Sequence, residues 1–83
     1  MNRNNINEQV NVTAMGFKKD LAVYPRRIEY QGSTYDFIDA GLRCLIRQGG
    51  RIAEILTLTD GSVNFRLRSD NRGSSWTLLS ITA

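Results

Sequence analysis

A mainly β fold is the expectation, and three turn signals create it. Asp60-Gly61 separates two runs of alternating apolar and polar residues, and Asp and Gly both tolerate the positive φ that a tight type I′ turn demands. Ser69-Asp70-Asn71-Arg72-Gly73 separates the second run from a third, so Arg51 to Ile81 reads as a three-stranded antiparallel meander. A further hairpin falls within Ile28 to Phe37, around Gln31-Gly32-Ser33. Strands this short cannot leave an apolar face in water. Five to six of them are therefore expected to make a small open barrel or a sandwich, of the size of SH3-like and OB-like domains, with the barrel preferred.

Residues 1–9 carry four asparagines, and after Met1 their one apolar residue is Ile6. Such a stretch has little hydrophobic surface to offset the entropy of ordering, so a disordered tail is predicted there, followed by a single β domain over 10–83. Val10, Val12 and Ala14 alternate with Asn11 and Thr13 as a short strand running towards Gly16. Lys18, Lys19 and Asp20 form a polar connection. Pro25 lacks an amide hydrogen and fixes φ, which puts it at a strand entrance or on an edge. In the hairpin that follows, a Gly32-Ser33 turn would set Glu29 opposite Asp36, and like charges so placed repel. A Gln31-Gly32 turn sets Arg27 opposite Asp36 and Ile28 opposite Tyr35, and is preferred. Either turn puts Ile28, Tyr30, Tyr35 and Phe37 on one face.

Ile38 to Gly50 supports two readings. Asp39 can cap a short helix over 39–48, with Leu42, Leu45 and Ile46 on one side and Gly49 ending it. Leu42, Cys44 and Ile46 also alternate with Arg43, Leu45 and Arg47, as in a strand turning at Gln48-Gly49-Gly50. The strand agrees better with the tight turns on either side, and a lone Cys in an apolar run is taken as a small core residue. In the meander, an Asp60-Gly61 turn pairs Leu58 with Val63 and Leu56 with Phe65. Thr57, Thr59, Asn64, Arg66 and Arg68 then lie on the wet face. Trp76 and Leu78 join the core face, while Leu79 and Ile81 point away from it, which implies a bulge or a second buried surface. Glu54 shares the face of Leu56 and Leu58 and belongs at its rim.

The charge balance is mild. Eleven basic residues against eight acidic ones give +3, and nine of the eleven are arginine. That favours solubility and weak attraction to polyanions without defining a nucleic-acid binder. The absence of histidine excludes Ser-His-Asp and Cys-His catalysis together with His-containing metal motifs. Cys44 is the only cysteine, so no intrachain disulfide can form, and a reducing cytoplasm is the expected location. No apolar run approaches the roughly 18 residues of a membrane helix. Asp36 and Asp39 are the nearest pair for acid–base chemistry, but a partner for Arg27 and a turn or cap residue are the better roles for them. No enzyme activity, cofactor, metal or membrane role is expected.

Binding surfaces remain. The leading reading makes Leu79 and Ile81 a protein-contact surface, used for a partner or a homodimer, with the C-terminal strand pairing at an open sheet edge. The alternative is a nucleic-acid-binding barrel. Arg66 and Arg68 stand two apart on one strand and project the same way, Arg26 and Arg27 extend the candidate phosphate-contact set, and Tyr24 is the aromatic expected to be exposed for base stacking. The other rings fall on the inner face, which favours the protein reading.

The run Pro25-Arg26-Arg27-Ile28-x-Tyr30-x-Gly32-x-x-Tyr35, followed by Asp60-Gly61-x-x-x-Phe65-Arg66-Leu67 and Trp76-x-Leu78, resembles small uncharacterised bacterial β-proteins. The resemblance covers about residues 24–81 and consists of turn glycines, core aromatics and a strand-entry proline. It implies a small β fold and carries no activity with it.

Overall fold

The computed structural model describes residues 3–19, 23–70 and 73–83. They form seven strands: β1 (Arg3–Phe17), β2 (Val23–Tyr30), β3 (Ser33–Asp36), β4 (Leu42–Gln48), β5 (Arg51–Thr59), β6 (Asn64–Asp70) and β7 (Ser75–Thr82). All neighbours are antiparallel, in one sheet of order β3-β2-β1-β7-β6-β5-β4. The count exceeds the five to six strands expected, and the sheet is open, neither a closed barrel nor a pair of layers. It curls over its inner face instead, bringing the Tyr35 and Phe37 rings within 5.0 and 5.2 Å of the Phe65 ring. Around them Ile28, Leu58, Leu67 and Leu78 are fully buried, with Val10, Leu56 and Trp76 completing the core.

The tail predicted for residues 1–9 is corrected over its described part. Residues 3–9 begin β1 and pair with β7, from Arg3 opposite Thr82 to Gln9 opposite Thr77. Backbone hydrogen bonding is what local hydrophobicity could not reveal, because β7 needs a partner on this side for its amides and carbonyls. Ile6 packs against the core, and the ladder irregularity between Asn5 and Glu8 contains Asn7 at φ 58°, a left-handed conformation that Asn tolerates. From Asn11 onward β1 leaves β7 and pairs with β2 instead.

The β2–β3 hairpin has the preferred register, with Arg27 opposite Asp36 and Ile28 opposite Tyr35. Gln31 at φ 51° and Gly32 at φ 77° make the two-residue turn. β3 spans only Arg27 to Tyr30 of its neighbour, so Pro25 lies beyond its reach, where a missing amide interrupts no β2–β3 ladder.

Residues 39–48 hold no helix, and Leu42 to Gln48 form β4. Cys44, expected in the core, is exposed. The β5–β6 turn is wider than the two-residue one expected, with Leu58 opposite Phe65 and Leu56 opposite Leu67. Asp60 Oδ1 accepts hydrogen bonds from the Ser62 and Val63 amides at 2.9 and 3.0 Å. Thr59 Oγ1 accepts from the Gly61 amide at 3.0 Å and donates to the Val63 carbonyl at 2.9 Å, so side chains hold a four-residue loop open. The shift is by two residues, which keeps every side chain on its expected face. In β7 a bulge separates the Arg66–Ser80 and Leu67–Leu78 pairs. It absorbs Leu79 and returns Ile81 to the core side, opposite Phe65.

Candidate functional site

β7 lies in the middle of the sheet, with β1 on one side and β6 on the other. Leu79 and Ile81 are half-buried on it, and Ile81 packs against the core, so neither lies on an open edge. Sequence patterning identified the apolar surplus of this strand but not its place in the strand order, which depends on long-range pairing with residues 3–10.

The arginines do not form one patch. β1 and β7 separate Arg26 and Arg27 on β2 from Arg66 and Arg68 on β6. Arg27 Nε donates to Asp36 Oδ1 at 2.5 Å. Arg68 Nε donates to Asp70 Oδ1 at 2.9 Å, Thr77 Oγ1 donates to Asp70 Oδ2 at 2.6 Å, and Arg68 Nη2 donates to Thr77 Oγ1 at 3.4 Å. Desolvation pushes the Asp70 carboxyl up, but the Thr77 hydroxyl and the Arg68 guanidinium outweigh it and hold it below the usual carboxylate range. Arg68 is thus committed within the chain. Among the described residues, Arg26 and Arg66 have no carboxylate at ion-pair distance.

Tyr24 is not the exposed ring expected. It is half-buried across Gly16, where an added Cβ would lie 2.4 Å from its ring. Asp36 is held by Arg27, and Asp39 Oδ1 accepts the Gly41 amide at 2.9 Å, so both carboxylates have the structural partners foreseen for such residues. Among the described residues, no group of three or more His, Cys, Asp or Glu is placed to hold a metal ion. Among the same residues, no helix is long and apolar enough to cross a membrane.

What the sequence missed is the far end of the sheet. β4 is its terminal strand and pairs with β5 from Leu42 opposite Thr57 to Gln48 opposite Arg51. The Gly49-Gly50 turn, with φ of 53° and 83°, makes Gln48 and Arg51 a hydrogen-bonded pair. Alternation from that pair leaves the amides and carbonyls of Arg43, Leu45 and Arg47 directed away from β5. This hairpin overhangs the core: Leu42, Leu45 and Ile52 are 76%, 61% and 61% exposed. Leu42, Cys44 and Ile46 share the outer face with Ala53 and the buried Ile55. Leu45 and Ile52 extend the inner face beyond Leu56. Arg43 Nη2 forms an ion pair with Glu54 Oε2 across the strands, which satisfies the rim carboxylate. A long unpaired edge with apolar residues on both faces is a ready template for an added strand. The signal was present in the alternation of Leu42, Cys44 and Ile46, but periodicity could not show that β4 has a neighbour on one side only.

Comparison of the chain with protein families, with curated proteins and with solved structures finds no match.

Proposed function

We propose that this protein is a non-enzymatic interaction module that takes up an extended protein segment at β4 by strand addition. The observation that carries the reading is the open edge itself, a seven-residue strand bearing Leu42 and Leu45 in solvent beside exposed Ile52. Strand addition supplies main-chain hydrogen bonds to Arg43, Leu45 and Arg47, and covers apolar side chains on alternate positions. The contact surface expected at Leu79 and Ile81 is thereby moved to a strand that has room for a partner. The nucleic-acid alternative has less support, because Arg27 and Arg68 are already paired with Asp36 and Asp70.

The test is an NMR titration of the labelled protein with a seven-residue peptide copying Leu42–Gln48, its cysteine replaced by serine. Amide shifts concentrated in residues 42–54 are expected. No shifts at millimolar peptide, or shifts centred on β3, would refute the strand-addition reading. In parallel, anisotropy of a labelled single-stranded oligonucleotide should stay flat at low salt, since phosphate contacts are strongest there.

A further inference from the structure

We propose that the segment added at β4 is β4 of a second copy, running antiparallel about a two-fold axis that passes beside Cys44. This deepens the strand-addition reading and rests on it. The outward-facing groups belong to Arg43, Leu45 and Arg47, so an incoming identical strand must place odd-numbered residues opposite odd-numbered ones. That requirement leaves a short series of registers, which the side chains discriminate.

An axis at Leu45 sets Arg43 against the second copy's Arg47, and an axis at Arg43 sets two copies of that arginine against each other. Like charges directly opposed across strands are destabilising. An axis at Ile46 leaves Leu42 opposite the glycine turn, without an apolar partner. An axis at Cys44 has none of these faults. On the outer face it forms an unbroken apolar ladder, with Leu42 opposite Ile46 of the second copy, the two Cys44 residues opposite each other, and Ile46 opposite Leu42. On the inner face Arg43 meets Leu45 of the second copy while keeping its own Glu54. β4 is thus self-complementary about its third residue, a pattern that strand addition to an unrelated partner does not require. The interface is isologous, and it joins the two sheets into one continuous sheet.

This register makes the Cys44 pair a non-hydrogen-bonded one, with Cα atoms about 4.5 Å apart. That separation lies within the roughly 4.4–6.8 Å range of disulfides. Mild oxidation with diamide, which takes up the two thiol protons and two electrons, therefore reports the register.

Sedimentation of the full chain in reductant should show a concentration-dependent species of twice 9.4 kDa. Diamide should convert it to a covalent dimer at Cys44. On a Cys44→Ser background neither Leu42→Cys nor Ile46→Cys alone should cross-link efficiently, whereas the two together should. Retained Trp76 fluorescence would show that each variant folds. A monomer up to about 1 mM, or a dimer that cross-links through Leu45→Cys in preference to Cys44, would overturn the proposal. If the chain stays monomeric while the β4 peptide still binds, the second copy is rejected and strand addition stands. If the peptide fails as well, the strand-addition reading falls with it.

Discussion

β3 and β4 are both edge strands, yet β3 is four residues long with Tyr35 turned onto Phe65 at 5.0 Å, whereas β4 is seven residues long and keeps Leu42 and Leu45 in solvent. After β3 the chain anchors itself again: the Phe37 amide donates to the Arg26 carbonyl at 2.9 Å and the Ile38 amide to the Thr59 carbonyl at 3.0 Å. β4 is held by its ladder to β5 and the Arg43–Glu54 pair. An edge becomes part of the fold when its side chains are buried. Hydrogen bonding along one side leaves it available for another use.

The contrast is broken most forcefully by truncation. Phe37→Ala should cost about 3–5 kcal/mol in urea denaturation, because it removes a buried ring packed on Phe65. Leu45→Ala on the other edge should stay within about 0.5 kcal/mol for the monomer. Equal losses would show that β4 contributes to the core after all.

Glycines at the two ends of β4 sharpen the same contrast. Gly41, at its base, has φ +64°, and an added Cβ would lie 2.1 Å from the Thr57 carbonyl oxygen. Gly49, at the tip, has φ +53° with open space around it. Gly49→Ala should cost only the left-handed penalty of about 1–2 kcal/mol, and Gly41→Ala clearly more, since backbone must also move. Thermal midpoints of the two variants compare them directly.

Acid separates both edges from the turns between them. Hydrogen bonds from the Val63 and Ser62 amides lower the Asp60 carboxyl, and that of Asp70 is lowered as well. A depressed folded value contributes stability that is complete well above the unfolded value near ~3.9 and is lost as the pH falls through the folded value. The urea midpoint should therefore fall below about pH 4. The fall should be smaller for Asp60→Asn. A wild-type midpoint unchanged down to pH 2 would contradict it. A small effect is also expected at the exposed Arg27–Asp36 pair on β3, where Asp36→Ala should change stability by at most about 1 kcal/mol.

The parts legible in the sequence are those decided by neighbours. The β2–β3 register followed from opposing Arg27 to Asp36 rather than Glu29, and the inner face of Ile28, Tyr35, Phe37, Phe65 and Trp76 followed from alternation. The β5–β6 loop was misjudged by two residues because Asp60 and Thr59 hold it through side-chain hydrogen bonds that alternation does not register. The place of β7 inside the sheet, the strand at residues 3–9 and the exposure of Cys44 all depend on which distant segments pair. No local pattern encodes that. The candidate site suffered most, since an edge is defined by what fails to pair with it.

The first strand is the partner of the last, from Arg3 opposite Thr82 to Val10 opposite Trp76. Hairpins β4–β5, β5–β6 and β6–β7 close over short loops. The β1–β7 ladder closes over nearly the whole chain, and chain entropy must be surrendered before it yields any hydrogen bond. High contact order of this kind slows folding. Contact order alone therefore predicts that the C-terminal meander forms first and β1 docks after it. In that order β7 would itself be an unpaired edge until β1 arrives, giving the folding chain two adhesive rims instead of one.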